Sequence, residues 1–140
     1  MKPTDFSRTN MNTRKIIAAF LCSVISTALW ATDCSKMETQ SDLNRCYGVE
    51  YKAADKELNQ AYADVRASLD ERQKQELKAV QLAWIKYRDL SCNFELSNAK
   101  GGSAYSMGLS ICLTEKTRAR TAELKKMASC EEGDITCSPK

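Results

Sequence analysis

From Thr39 to Met127 the chain repeats apolar residues at steps of three and four, and this period commits it to helices. Leu43, Cys46, Tyr47, Ala54, Leu58, Ala61, Tyr62, Val65 and Leu69 share one face of a 3.6-residue helix, with charged side chains between them. Thr39 followed three residues later by Asp42 reads as a helix start of capping-box type. Gly48 interrupts the pattern; a glycine inside a helix costs about 1 kcal/mol relative to alanine, so a kink or a split is expected there. A second helix is expected from Asp70 to Asn98, with Leu77, Val80, Trp84, Tyr87, Cys92 and Leu96 as its apolar stripe and Asp70 and Glu71 at its positive end. The run Asn98-Ala99-Lys100-Gly101-Gly102-Ser103 stops it. A third helix, Ser106 to Met127, places Leu109, Cys112, Leu113, Leu124 and Met127 inward. No segment alternates β-branched residues as strands do, so the expected fold is all-α: a small antiparallel bundle of about three long helices.

Arg14 and Lys15 precede an apolar run from Ile16 to Leu29 that ends near Ala31. A basic start, an apolar core and a small-residue exit describe a secretory signal peptide, and the run is shorter than the roughly 20 residues a membrane span takes. Residues 1–31 are therefore expected to be a cleaved leader, 32–128 a helical domain and 129–140 a short tail. The mature protein would be periplasmic or secreted and free of the membrane. Cleavage would discard Cys22 and leave Cys34, Cys46, Cys92, Cys112, Cys130 and Cys137. An even six in a small exported domain implies up to three disulfides, each typically worth about 2 to 4 kcal/mol. The pairs expected are Cys92 with Cys112, across the glycine loop, and Cys130 with Cys137 in the tail. A cysteine-only zinc site lacks any C-x-x-C pair, so no metal is expected.

The sequence contains no histidine. That removes the commonest general base, the commonest metal ligand and the usual partner of a Ser or Cys nucleophile. There is also no phosphate-binding glycine loop, H-E-x-x-H or G-x-S-x-G. Neither a catalytic residue nor a cofactor is expected. Of 21 basic and 18 acidic side chains, the leader holds Lys2, Arg8, Arg14, Lys15 and Asp5, which leaves residues 32–140 with no net charge. A nucleic-acid binder would keep a basic excess, so that class is disfavoured.

Three segments together carry a family resemblance. They are Asp55-Lys56-Glu57-Leu58-Asn59-Gln60-Ala61-Tyr62, then Gln81 to Cys92 in the form Q-x-x-W-x-x-x-R-D-x-x-C, then Gly101-Gly102-Ser103 with Cys112-Leu113-Thr114 and Arg118. This pattern resembles the LprI-like lysozyme-inhibitor family of secreted bacterial proteins over about Cys34 to Met127, with the Cys130–Cys137 tail outside it. The resemblance implies a small helical, disulfide-linked, non-enzymatic protein whose partner is a lysozyme. The alternative is a non-inhibitory envelope module that binds or assembles another protein.

Two places are candidates for partner contact. Tyr87 and Arg88 are residue types enriched at binding hot spots, beside Trp84, which reads as a core anchor; the structural alternative pairs Arg88 with an acid on a neighbouring helix. The loop after the second helix offers Lys100, Ser103 and Tyr105 as hydrogen-bond donors on a glycine backbone that can approach another surface closely. Such a loop would suit a lysozyme cleft, which carries two catalytic carboxylates. Glu50, Asp55, Glu57 and Asp64 on the first helix could also steer a cationic partner, unless they form an ordinary solvated face.

Overall fold

The computed structural model of the protein describes residues 33–129 and residue 133. Three helices account for most of it: α1 (Gln40–Ala67), α2 (Glu71–Glu95) and α3 (Tyr105–Ala128). Short 3₁₀ turns at Cys34–Lys36 and Ser97–Ala99 precede α1 and follow α2. The leader and the Cys130–Cys137 pair lie outside the described residues.

Thr39 caps α1, its hydroxyl oxygen accepting from the Asp42 N–H at 3.1 Å while its own proton goes to the Asp42 carboxylate at 2.6 Å. The helix then runs unbroken through Gly48, so the split expected there does not form. A β-carbon at Gly48 would meet nothing within 4 Å, so this glycine answers to no packing demand. α2 opens on a full capping box in which the Gln73 N–H donates to Asp70 and the Gln73 side chain accepts from the Asp70 N–H, both at 2.8 Å. A connection of three residues, Ser68 to Asp70, forces α2 back antiparallel to α1.

α3 runs parallel to α1. At their starts, the Asn44 side chain donates to the Ser103 carbonyl at 3.0 Å and the Gln40 amide reaches Met107 Sδ at 3.7 Å. Towards their ends, Leu58, Ala61 and Val65 of α1 close on Leu124 of α3, with Tyr62, Leu69, Leu77, Trp84 and Met127 packed around them. Alanine at 54 and 61 lets the two backbones approach closely.

The expected bridge between Cys92 and Cys112 is present and ties the last turns of α2 to α3. A second bridge, Cys34–Cys46, holds the N-terminal 3₁₀ turn on α1. Their sequence separations of 12 and 20 residues correspond to about 3 kcal/mol each of restricted unfolded chain. Among the described residues, no helix is long and apolar enough to cross a membrane.

Candidate functional site

α2 buries several polar side chains and leaves several large apolar ones exposed. Its inward positions are Gln73, Leu77, Gln81, Trp84, Arg88 and Cys92, of which Gln73, Gln81, Arg88 and Cys92 are buried. Outward stand Val80, Leu82, Tyr87, Leu90 and Phe94, with Tyr87 61 %, Leu90 60 % and Phe94 80 % exposed. Val80 and Tyr87 were expected on the core-facing stripe; both lie on the solvent side, because the helix turns to bury the Trp84–Arg88 phase instead. Complete burial of a large apolar side chain stabilises by about 1.5 to 3 kcal/mol. Three such residues left mostly in water forgo roughly 3 to 6 kcal/mol that a partner surface can recover.

Arg88 explains the choice of phase. Its side chain is buried between all three helices: Nε donates to Asp89 at 2.9 Å, and Nη1 reaches Thr117 of α3 at 3.3 Å and Asp55 of α1 at 3.5 Å. The guanidinium carbon stands 5.3 Å from the Trp84 ring centre and 5.6 Å from that of Tyr51. This is the inter-helix pairing weighed above, and at 6 % exposure Arg88 offers little surface to a partner. Arg120 repeats the device one layer down, donating from Nε to Gln81 at 3.2 Å and from Nη1 to Glu123 at 2.8 Å. Burial and the neighbouring Asp55 and Asp89 carboxylates push the Tyr51 phenol up from its usual pKa, burial most, although Arg88 pulls the other way.

The loop between α2 and α3 is a chain of tight turns, with the Ala99 N–H donating to Leu96, Gly102 to Ala99 and Tyr105 to Gly102 at 3.0 to 3.1 Å. Gly101 takes φ +82°, a conformation L side chains avoid. Leu96 lies against Gly108 so closely that a β-carbon there would stand 2.6 Å from Leu96 Cδ1, which docks the loop on the first turn of α3. Lys100 and Ser103 are exposed; the Ser103 carbonyl is held by Asn44. Tyr105 is half-buried and its hydroxyl donates to Asn93 Oδ1 at 3.0 Å.

That last bond ties the loop to Asn93 in the last turn of α2, next in sequence to Phe94, with Tyr87 about 10 Å further down the helix. Lys116 of α3 flanks it, its ammonium 5.8 Å from the Tyr87 ring centre and 3.0 Å from Glu95. The hydrogen bond from Lys116, then that from Ser91, holds the Glu95 carboxyl below its usual value; Glu95 in turn raises the Lys116 ammonium. The exposed row on α2 therefore carries a fixed cation at its edge.

Leu90, Phe94, Asn93 and Lys116 were not identified from the sequence. The signal was present, since Tyr87, Leu90 and Phe94 recur at three and four residues, but the competing Trp84–Arg88–Cys92 phase masked it. Three of the four acids considered on α1 have contacts within the chain. Glu50 lies 3.4 Å from Cys34 Sγ and 3.9 Å from Arg118, Asp55 accepts from Arg88 and Asn59, and Asp64 accepts from Gln60. A shallow recess of about 490 Å³, lined by Tyr62, Ala63, Arg66, Ala67 and Lys74, sits at the α1–α2 corner, at the other end of α2 from the loop. Among the described residues no cluster of three or more His, Cys, Asp or Glu could hold a metal ion.

Comparison with known proteins gives two findings. The family model described as lysozyme inhibitor LprI matches residues 31–124, which include all of α1 and α2, the loop and most of α3. An uncharacterized protein of Rhizobium meliloti (strain 1021) is 42 % identical over 113 residues, covering 71 % of this chain and 81 % of its own. No solved structure gives a significant match.

Proposed function

The chain belongs to the LprI lysozyme-inhibitor family, and on that premise we propose that it is an exported, non-enzymatic inhibitor that docks on a lysozyme and occludes its active-site cleft. The observation that carries the reading to a place on the molecule is the exposed row Tyr87, Leu90 and Phe94 with the loop that follows it, at Lys100, Ser103 and Tyr105. Tyrosine and phenylalanine give contact area at small entropic loss, and desolvating them supplies affinity. Lys100 and the Ser103 hydroxyl supply donors to the carboxylates of the cleft. Arg88 works beneath this surface as a positioning residue, fixing the helix phase that turns Tyr87 outward. The two disulfides support export, since such bridges persist in oxidising compartments.

The test is inhibition of peptidoglycan lysis by the purified, oxidised protein against chicken-type, goose-type and invertebrate-type lysozymes. Stoichiometric inhibition of at least one class is expected. Unimpaired lysis by all three at a large molar excess of the protein would refute the reading, as would peptidoglycan cleavage by the protein alone.

A further inference from the structure

Two glycines stand inside long helices, and a neighbour needs only one of them. At Gly48 the space a β-carbon would fill is open, whereas at Gly108, in the first turn of α3, Leu96 Cδ1 already takes it. Alanine is the better helix former at both positions. Leu96 is also where the connecting loop begins. Its carbonyl accepts from the Ala99 N–H, the Ala99 carbonyl from Gly102 and the Gly102 carbonyl from Tyr105, at 3.0 to 3.1 Å. Each turn hangs on the one before, so the seat of Leu96 sets where the whole loop stands.

The far end of the loop depends on such a seat, because α3 starts at Ala104 with no side-chain cap and no acid in its first turn. The Cys92–Cys112 bridge encloses the loop; inside it Leu96 sits on Gly108, the Tyr105 hydroxyl on Asn93, and the Ser103 carbonyl is held by Asn44. At the middle of the loop stands Lys100, whose ammonium has no hydrogen bond or ion pair among the described residues.

We propose that Leu96 and Gly108 form a latch that fixes the loop in its binding conformation, which makes both of them positioning residues for the lysozyme contact. The inference rests on the inhibitory reading above and adds to it the device that holds Lys100 and Ser103 in place. A loop ordered before contact loses little freedom on binding, whereas a loop released from its seat must be ordered at that moment, which lowers affinity. Release leaves the main core alone, since Leu58, Ala61, Val65 and Leu124 meet towards the other end of α1 and α3.

The experiment compares the oxidised wild type with Gly108→Ala, Leu96→Ala, the double variant and Gly48→Ala. For each, urea unfolding, amide hydrogen exchange at Ala99, Gly102 and Tyr105, and inhibition of a lysozyme are measured. A methyl at position 108 displaces the flexible end of Leu96 and no backbone. Gly108→Ala should therefore keep the wild-type urea midpoint while the three loop amides exchange about tenfold faster and inhibition weakens about tenfold. Leu96→Ala should affect the loop and inhibition in the same way. In the double variant the added methyl enters space that Leu96 has left, so inhibition should match Leu96→Ala within about twofold, where independent losses would multiply to about a hundredfold. Gly48→Ala should inhibit as the wild type does. Wild-type exchange at the three amides of Gly108→Ala overturns the latch, whatever happens to inhibition. Faster exchange with undiminished inhibition overturns the positioning role, and so does a multiplied loss in the double variant. A wild type that inhibits no lysozyme overturns the inhibitory reading and the positioning role with it, while the exchange rates still decide whether the latch exists.

Discussion

Replacing Arg88 separates the structural role of its buried guanidinium from a role at the surface. Arg88→Ala removes the charged hydrogen bond to the fully buried Thr117, a loss of about 1.5 to 3 kcal/mol. It also removes two buried methylenes at about 0.8 kcal/mol each and the contacts with the Trp84 and Tyr51 rings, about 0.5 to 1 kcal/mol apiece. Against these stands the relief of desolvation on deleting a buried cation. Asp55 and Asp89 are half-exposed and regain water when unpaired, so their ion pairs add little. The balance is a destabilisation of about 3 kcal/mol, or a fall in Tm of more than about 10 °C for a domain of this size. Arg88→Met keeps the stem and deletes the charge, and should lose only about 1 kcal/mol. Urea unfolding of the oxidised proteins measures both, and residual inhibition per folded molecule should be unchanged in Arg88→Met. An Arg88→Ala variant as stable as wild type would refute the inter-helix role, as would an Arg88→Met variant that folds normally yet loses inhibition.

Three further outcomes follow from particular residues. Gly48→Ala should stabilise the protein by about 0.5 to 1 kcal/mol, since the site is ordinary helix with open space around it; a destabilised variant would show that the helix needs this glycine. The Glu95 carboxyl, titrated by NMR, should have a midpoint below 4.5, and Lys116→Ala should move it up. Because the folded carboxyl is the stronger acid, its contribution to stability is complete above the unfolded value and fades as pH falls through the folded one. The raised Lys116 behaves oppositely, contributing below 10.5 and losing its effect as pH climbs through its folded value. A double Cys92→Ala, Cys112→Ala variant should lose about 3 kcal/mol in urea unfolding, and a loss below 1 kcal/mol would mean that the loop is held without its bridge.

The sequence carries the helices plainly, because their period extends over whole elements and their caps use ordinary chemistry at Thr39 and Asp70. The Cys92–Cys112 bridge was legible for the same reason, since two helices joined by a glycine loop bring those positions together. The orientation of α2 was not legible. Val80 and Tyr87 fit the apolar period as well as Leu77 and Trp84 do, and periodicity counts apolar residues without knowing that Gln81 and Arg88 have partners waiting on α1 and α3. Only the positions of Thr117, Asp55 and Arg120 show that a polar face can be the buried one. The contact candidates divide accordingly: Tyr87 is exposed on the outer side of α2, Lys100 and Ser103 are exposed on the loop that follows it, Arg88 is buried, and Leu90 and Phe94 emerge once the phase is known.

The most direct measurement is amide hydrogen exchange of the oxidised protein with and without a lysozyme that it inhibits. Protection gained on binding should concentrate between residues 80 and 105, over the outer half of α2 and the loop, with the exposed side of α1 unchanged. Protection confined to α1, around Lys52, Lys56 and Asn59, would place the partner on the opposite helix and contradict the assignment of the α2 surface.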